Sequence, residues 1–176
     1  MKDNISQLAK KAKNGDARAF GEIYSRFSGE MYRYALYNLG SVEAAQDAVQ
    51  DAALEAWKNI NKLRNEDAAK AWFFKILSHC CKHSLREKYR ADFTCLEADI
   101  AQHSHDENTV LGLDLLRLIG KLDSDDRDII MLSAVVGLNS KEISKITSIN
   151  AATVRSKLSR TLAKLRREIE EGGKAQ

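Results

Sequence analysis

The chain has 176 residues, of which 44% are hydrophobic and 30% charged, so it can bury one or two apolar cores and is not intrinsically disordered. Its net charge is only +3. No apolar run approaches the ~20 residues of a membrane span, the amino end lacks the layout of a signal peptide, and three cysteines do not make a disulfide framework. Proline is absent and helix formers dominate. We therefore expect an all-α, cytoplasmic protein with no direct membrane insertion.

Apolar residues recur at intervals of three and four through the first half of the chain, which indicates helices. The predicted helices there are residues 5–13, 17–39, 42–59 and 68–89.

The third predicted helix has an acidic face. Its acids repeat every four residues, and its apolar residues can pack inward. The acids are Glu43, Asp47, Asp51 and Glu55, and the inward residues are Ala45, Ala48, Val49, Ala52, Ala56 and Trp57. This face is either a solvated surface or a docking surface for a basic partner, and the spacing alone does not decide between them.

The fourth predicted helix combines aromatic residues with cations. It opens with the triplet 72–74 and continues with cations close to one stripe. Aromatic and basic side chains together suit a nucleic-acid strand being opened, because unpaired bases stack on aromatic rings. At least two of the three aromatic residues are expected to be core residues instead. The candidate contacts are Trp72, Lys75, His79, Lys82 and Arg86.

Histidines and cysteines cluster in the same helix, at His79, Cys80, Cys81 and His83. His79 and His83 share a helix face, as a zinc pair would. The two cysteines point in different directions, however, and no second pair has ligand spacing. We predict no metal site and no cofactor.

Residues 91–113 contain five acids and no lysine or arginine. We expect this segment to be a linker, because the segments on either side are basic. Residues 114–122 and 124–136 then predict two helices. The fold class expected is two small helical domains, residues 1–90 and 114–172, joined by the acidic linker.

The last third of the chain has the pattern of a DNA-binding helix-turn-helix. Asn139 or Ser140 begins a short helix, residues 148–150 form a turn, and a second helix follows. The second helix places Val154, Leu158, Leu162 and Leu165 on one stripe, and no acid lies between residues 150 and 167. Its other faces carry cations interleaved with hydroxyl side chains, which are donors and acceptors for bases and phosphates. The alternative is a helical hairpin whose basic face is only solvated.

These motifs resemble the bacterial RNA polymerase sigma factors of the sigma-70 type, in the two-domain extracytoplasmic-function (ECF) group. Residues 45–57 look like the family's polymerase-clamp-binding helix. Residues 71–76, with the basic tail after them, look like the helix that melts and reads the −10 element. Residues 122–165 are similar to the domain that reads the −35 element, and residues 153–160 are its most specific string.

The resemblance implies a promoter-specificity subunit that binds core RNA polymerase (the β′ clamp and the β flap) and promoter DNA, and that an anti-sigma factor restrains. By position, Asp47, Gln50 and Asp51 would contact the clamp. The −35 groove would receive Thr153, Arg155, Ser156, Ser159 and Arg160, with Lys157 nearer the phosphates.

The chain departs from the family pattern at three positions. Histidines stand at 79 and 83, where family members commonly have asparagine and aspartate, so the −10 base preference is not inherited. The usual Leu-Pro before the second domain is Leu122-Asp123, which leaves that turn less rigid.

Other functions compete with this hypothesis. A repressor-type factor would use the same helix-turn-helix without polymerase, and a helical adaptor would not bind DNA. Neither a nucleophile–base pair nor a P-loop is present, so we expect no enzymatic activity.

Overall fold

The computed structural model describes residues 2–88 and 117–172, with side chains described for residues 5–86 and 117–171. Every regular element in these ranges is a helix, as expected. The α-helices described from end to end are α1 (Lys2–Lys13), α2 (Ala17–Leu39), α3 (Val42–Asn59), α4 (Ala69–Lys88), α5 (Ser124–Ala134), α6 (Ser140–Thr147) and α7 (Ala151–Gly172), and residues 117–120 are helical as well. Short 3₁₀ turns at Ile60–Lys62 and Glu66–Ala68 lie between α3 and α4.

The helix boundaries follow local signals in the sequence. Asp16 begins α2 by accepting hydrogen bonds from the backbone N–H groups of Arg18 and Ala19. Gly40 ends it with a φ of 62°, in the left-handed region that glycine adopts without strain, and its N–H donates to the carbonyl of Leu36.

Some boundaries differ from those expected. The first helix begins at Lys2 instead of residue 5, and α5 ends two residues early, at Ala134. The segment before α4 is a 3₁₀ turn, so α4 begins at Ala69. The predicted linker at residues 91–113 lies outside the described residues, as does the start of the helix predicted from residue 114.

The N-terminal domain is built around α2 and α4. Phe73 and Phe74 are fully buried, whereas Trp72 is half-buried, so the expectation that two of the three aromatics are core residues is confirmed. Phe73 packs edge-on against Phe27 at 5.6 Å between ring centroids, and Phe74 against Tyr34 at 5.9 Å. These aromatic pairs fix how α4 is rotated against α2.

The C-terminal domain contains the predicted helix-turn-helix. Asn139 and Glu142 form a reciprocal capping box at the start of α6, and Ile143 of α6 packs with Val154 of α7 in the core. The predicted apolar stripe of α7 is only partly buried. Val154 and Leu165 are buried, but Leu162 is 50% exposed, because Thr161, which is 4% exposed, takes the inward position at that turn of α7.

The two domains pack directly against each other. Helix α4 contacts α6, helix α2 contacts α5, and one cluster of buried apolar residues continues from the N-terminal domain into the C-terminal one. The described parts of the two domains therefore share a core.

The turn into the C-terminal domain is held by Arg127. Its Nη2 donates to the carbonyls of Gly120 at 2.8 Å and Leu122 at 2.9 Å, and its Nε donates to the carbonyl of Ile119 at 3.3 Å. The expectation of a loose turn at residues 122–123, where the family has Leu-Pro, overlooked this guanidinium. Its planar set of donors fixes the turn without proline.

We predict that Arg127→Ala lowers the free energy of unfolding by about 2 kcal/mol, because partly buried carbonyls lose their donor. Arg127→Lys should recover less than half of this loss, since an ammonium group cannot reproduce the planar set of donors. Urea denaturation followed by circular dichroism measures both. Lys121→Ala, an exposed change in the same turn, should stay within about 0.5 kcal/mol of the wild type. Equal effects at residues 121 and 127 would contradict the prediction.

Candidate nucleic-acid and protein interfaces

The acidic residues of α3 form one exposed face. Asp47, Gln50 and Asp51 are exposed, while Ala48 and Ala52 are buried against the rest of the domain. Neither Asp47 nor Asp51 forms an ion pair with any described residue. The helix therefore presents uncompensated negative charge to solvent, which is what electrostatic docking of a basic surface requires.

Two large apolar side chains lie near this acidic face. Leu54 is 58% exposed, and Trp57 is 36% exposed with its ring 5.0 Å from that of Phe20. Trp57 was expected to pack inward. About a third of its surface is exposed instead, because the residue lies at the edge of the core. Leu54 was not among the predicted site residues. Its position next to Glu55, on the polar side of α3, could have indicated an interface, since a leucine on the polar side of an amphipathic helix is unusual.

The predicted −10 residues lie along α4. Lys75, His79 and Arg86 are exposed, and Trp72 is half-buried with its ring 5.5 Å from that of Phe73. Lys82 differs from the others, because its Nζ lies 3.2 Å from a carboxylate oxygen of Asp128 in α5. The structure therefore brings these cations together on one helix, but one of them is held by the other domain.

The cysteines of α4 occupy different surroundings. Cys81 is buried, and Cys80 is half-buried with its Sγ 3.8 Å from a carboxylate oxygen of Glu55. Burial, followed by the charges of Glu55 and Asp51, raises the pKa of Cys80 to about 11. Since a thiolate is the nucleophile, the raised pKa disfavours a nucleophilic role at neutral pH. Within residues 2–88 and 117–172, no three histidine, cysteine or acidic side chains are grouped as metal ligands would be.

The helix-turn-helix exposes the predicted −35 residues. Ser148 has a φ of 62° in the turn, and Asn150 begins α7 by accepting a 2.8 Å hydrogen bond from the N–H of Ala152. Val154 is buried on the inner face of α7. The outer face exposes Thr153, Arg155, Ser156, Ser159 and Arg160. Their guanidinium and hydroxyl groups are thus available to base edges and phosphates.

Lys157 is the predicted −35 residue that the structure places differently. Its Nζ lies 2.6 Å from a carboxylate oxygen of Asp126 and 4.0 Å from one of Asp123, and its side chain is three-quarters buried. The hydrogen bond to Asp126 raises the pKa of Lys157 above its usual range. This cation therefore joins α7 to the start of α5. The acids at 123–126 were visible in the sequence, but nothing in the spacing indicated that they meet residue 157.

In the part of the chain that the structure describes, no helix is both long enough and apolar enough to cross a membrane.

The chain matches two models of one protein family. The sigma-70 region 2 model matches residues 23–91, and the sigma-70 region 4 model matches residues 112–165, so together they match most of the chain. The ECF RNA polymerase sigma factor SigW of Bacillus subtilis is 26% identical over 186 residues, an alignment that covers 97% of this chain and 100% of that protein.

Solved structures share the fold. The structure of CnrH in complex with the cytosolic domain of CnrY has a TM-score of 0.73 at 24% identity and covers 96% of this chain and 98% of that one. The sigma factor RpoE in complex with the anti-sigma factor NepR, from Bartonella quintana, has a TM-score of 0.69 at 19% identity and covers 85% and 97%. The chain belongs to the sigma-70 family, in its extracytoplasmic-function group, and is a sigma factor that directs promoter-specific transcription initiation.

Proposed function

We propose that this sigma factor uses opposite charges on two exposed helix faces to bind protein and DNA. The observation that carries the proposal is this segregation: acids line the outer face of α3, and the outer face of α7 from residue 153 to 160 carries cations and hydroxyls only. The acidic face would bind core RNA polymerase, and the basic face would bind promoter DNA in the cytoplasm. The proposed units are residues 1–90 for polymerase and the −10 element, residues 91–113 as linker, and residues 114–172 for the −35 element.

The polymerase contact is assigned to Asp47, Gln50 and Asp51. All three are exposed, and the two acids form no ion pair with the residues that the structure describes, which supports this assignment because a basic partner would not have to displace existing bonds. The exposed surface of Leu54 and Trp57 adds apolar area next to the charges. Buried apolar contacts surrounded by charge are typical of specific interfaces. We assign the partner surface to the β′ clamp.

The −10 contact is assigned to the exposed side of α4, at Trp72, Lys75, His79, Lys82 and Arg86. Exposed cations can follow a phosphate backbone, and the accessible part of the Trp72 ring can stack on an unpaired base.

The −35 contact is assigned to Thr153, Arg155, Ser156, Ser159 and Arg160 in the major groove. Arginine pairs with guanine edges in a bidentate manner, which gives base discrimination. Lys157 was predicted to lie near the phosphates, but its bond to Asp126 supports a positioning role instead. We assign it to holding α7 against α5.

Two further partners belong to this proposal. The half-exposed Leu162 and Ile169 give α7 an apolar surface that follows the −35 residues along the helix, and we assign this surface to the β flap. The RpoE relative was solved with an anti-sigma factor, and that complex supports an anti-sigma partner for this chain. Sigma factors are not enzymes, and we propose no catalytic activity and no cofactor here.

We predict that the charge reversal Asp47→Lys with Asp51→Lys weakens binding to core RNA polymerase at least tenfold, because like charges then face each other across the interface. Pull-down and fluorescence titration with core enzyme measure the loss.

The control is Asp125→Lys, which reverses an exposed acid on α5, outside the assigned surfaces, and should bind as the wild type does. Unchanged polymerase binding after reversal at 47 and 51, in a folded protein, would contradict the assignment of the acidic face.

We predict that Arg155→Ala and Arg160→Ala each cost ~1–3 kcal/mol of −35 recognition without changing the melting temperature. The measurement is holoenzyme binding to duplexes selected from a random pool, compared with duplexes mutated in the −35 element.

Lys157→Met should change stability and not recognition, the reverse of the two arginine substitutions. It should lower the free energy of unfolding by about 0.5–1 kcal/mol, because a partly buried ion pair is lost, and leave base preference intact. Since the folded pKa of Lys157 is raised, this stabilisation is present at neutral pH and is lost only as the pH rises through that raised pKa. Lys164→Met, an exposed change on the same helix, is the control. A changed base preference in Lys157→Met would contradict the positioning role.

A further inference from the structure

Helix α1 packs against two neighbours at once. Its apolar residues Leu8, Ala9 and Ala12 are buried, and the helix contacts α2. It also contacts both 3₁₀ turns of the connection between α3 and α4. Since α4 carries the proposed −10 residues, α1 lies against the segment that leads into that surface.

Two side chains of α1 bind the two acids of the second 3₁₀ turn. Nζ of Lys13 lies 2.7 Å from Oε1 of Glu66, and these side chains are only 26% and 21% exposed. The hydroxyl of Ser6 donates to a carboxylate oxygen of Asp67. The hydrogen bond from Lys13 lowers the pKa of Glu66, so this pair is charged at neutral pH. The turn is therefore bound to α1 by an ion pair and by a hydrogen bond.

These two bonds hold a turn that has no apolar anchor of its own. The start of the connection is anchored by Ile60 and Leu63, which are both buried. In the second turn, Glu66–Ala68, no residue is buried. Without the bonds from α1, the connection would thus be anchored by apolar burial at its first turn only.

The end that α1 holds is the one next to the proposed −10 surface. Helix α4 begins at Ala69, and Trp72 follows three residues later, ~4.5 Å along the helix axis. Lys62 and Arg64 are exposed just before the turn. If the turn moved, the surface around Trp72 would change, and ordering the turn again on binding would cost affinity.

We propose that Ser6 and Lys13 are positioning residues for the −10 surface: by binding Asp67 and Glu66, they hold the turn before α4 in the arrangement that an opened DNA strand meets. This inference rests on the proposed assignment of α4 to the −10 element. Neither Ser6 nor Lys13 is assigned a contact with DNA, because each acts through the acid that it binds.

The first test measures how firmly α1 holds the turn in the full-length protein. Lys13→Met removes the ion pair and keeps most of the length of the side chain. The backbone amides of Asp67 and Ala68, which are hydrogen-bonded to Asn65, should then exchange roughly threefold faster, because the turn opens more often. Amides of α3 should exchange as in the wild type. Hydrogen–deuterium exchange followed by mass spectrometry measures both.

The second test measures binding of a single-stranded oligonucleotide to the holoenzyme. The probe carries the −10 sequence of a promoter that the wild-type holoenzyme selects from a random pool, and fluorescence anisotropy reports its affinity. Lys13→Met and Ser6→Ala should each weaken binding roughly threefold, which is what one partly exposed bond can contribute. The affinity for core RNA polymerase should not change, since α3 is unaltered.

Glu66→Gln separates positioning from simple electrostatics. Loss of an acid by itself would leave DNA binding unchanged or tighten it, because phosphates are repelled less. The proposal predicts the opposite, a loss similar to that of Lys13→Met. The double variant should bind the probe no more weakly than either single variant, because both changes break the same bond.

The matched control is the ion pair between Glu22 and Arg26 on α2, which lies outside the assigned surfaces. Glu22→Gln and Arg26→Met make the same changes of charge, and they should leave both exchange in the turn and binding of the probe unchanged. Circular dichroism establishes that each variant is folded.

The outcomes separate the role of α1 from the proposed function. Exchange in the turn that is as slow in Lys13→Met as in the wild type would overturn the role of α1, whatever the DNA result. Faster exchange with unchanged binding of the probe, or unchanged or tighter binding by Glu66→Gln, would overturn positioning. If Lys75→Ala and Arg86→Ala leave binding of the probe intact, the −10 assignment of α4 fails and positioning fails with it, while exchange still decides whether α1 holds the turn.

Discussion

The burial of Phe73 and Phe74 against α2 is the interaction on which the rest of the molecule depends. Two adjacent aromatic residues in the core fix the rotation of α4 about its axis, since a helix can bury neighbouring side chains in only one orientation. That rotation places Lys75, His79 and Arg86 in solvent. It also turns Cys81 and Lys82 toward the C-terminal domain, where Asp128 lies. One packing choice thus determines the exposed cations and the contact between the domains.

Charge in this protein has different roles that residue type alone does not distinguish. Arg155 and Lys157 are two residues apart on the same helix, yet the first is exposed and the second bonds to Asp126. On α5, likewise, Asp125 is exposed whereas Asp128 is buried between the domains. The role of a charged residue in this protein therefore depends on its surroundings in the fold and not on its residue type.

Local features of the sequence predicted most of the fold. Helical periodicity gave α2 and α3 with their boundaries, and cap residues such as Asp16 and Asn139 marked helix starts, because these signals depend on neighbours within a few residues. The exposed residues of α3 and of the first turns of α7 were predictable for the same reason. Three features were not: the bond between Lys157 and Asp126, the role of Arg127, and the burial of Asp128. Each depends on residues that are distant in the chain or on side-chain directions that only the packed structure determines.

The apolar core shared by the two domains has a consequence for the lifetime of the protein in a cell. A domain of the size of residues 117–172 buries a modest share of its surface and is marginally stable by itself. The contact with the N-terminal domain adds to its stability, so it unfolds rarely and is seldom accessible to proteases. A substitution that weakens this contact would therefore shorten the lifetime of the whole chain, even where it leaves every exposed binding residue in place.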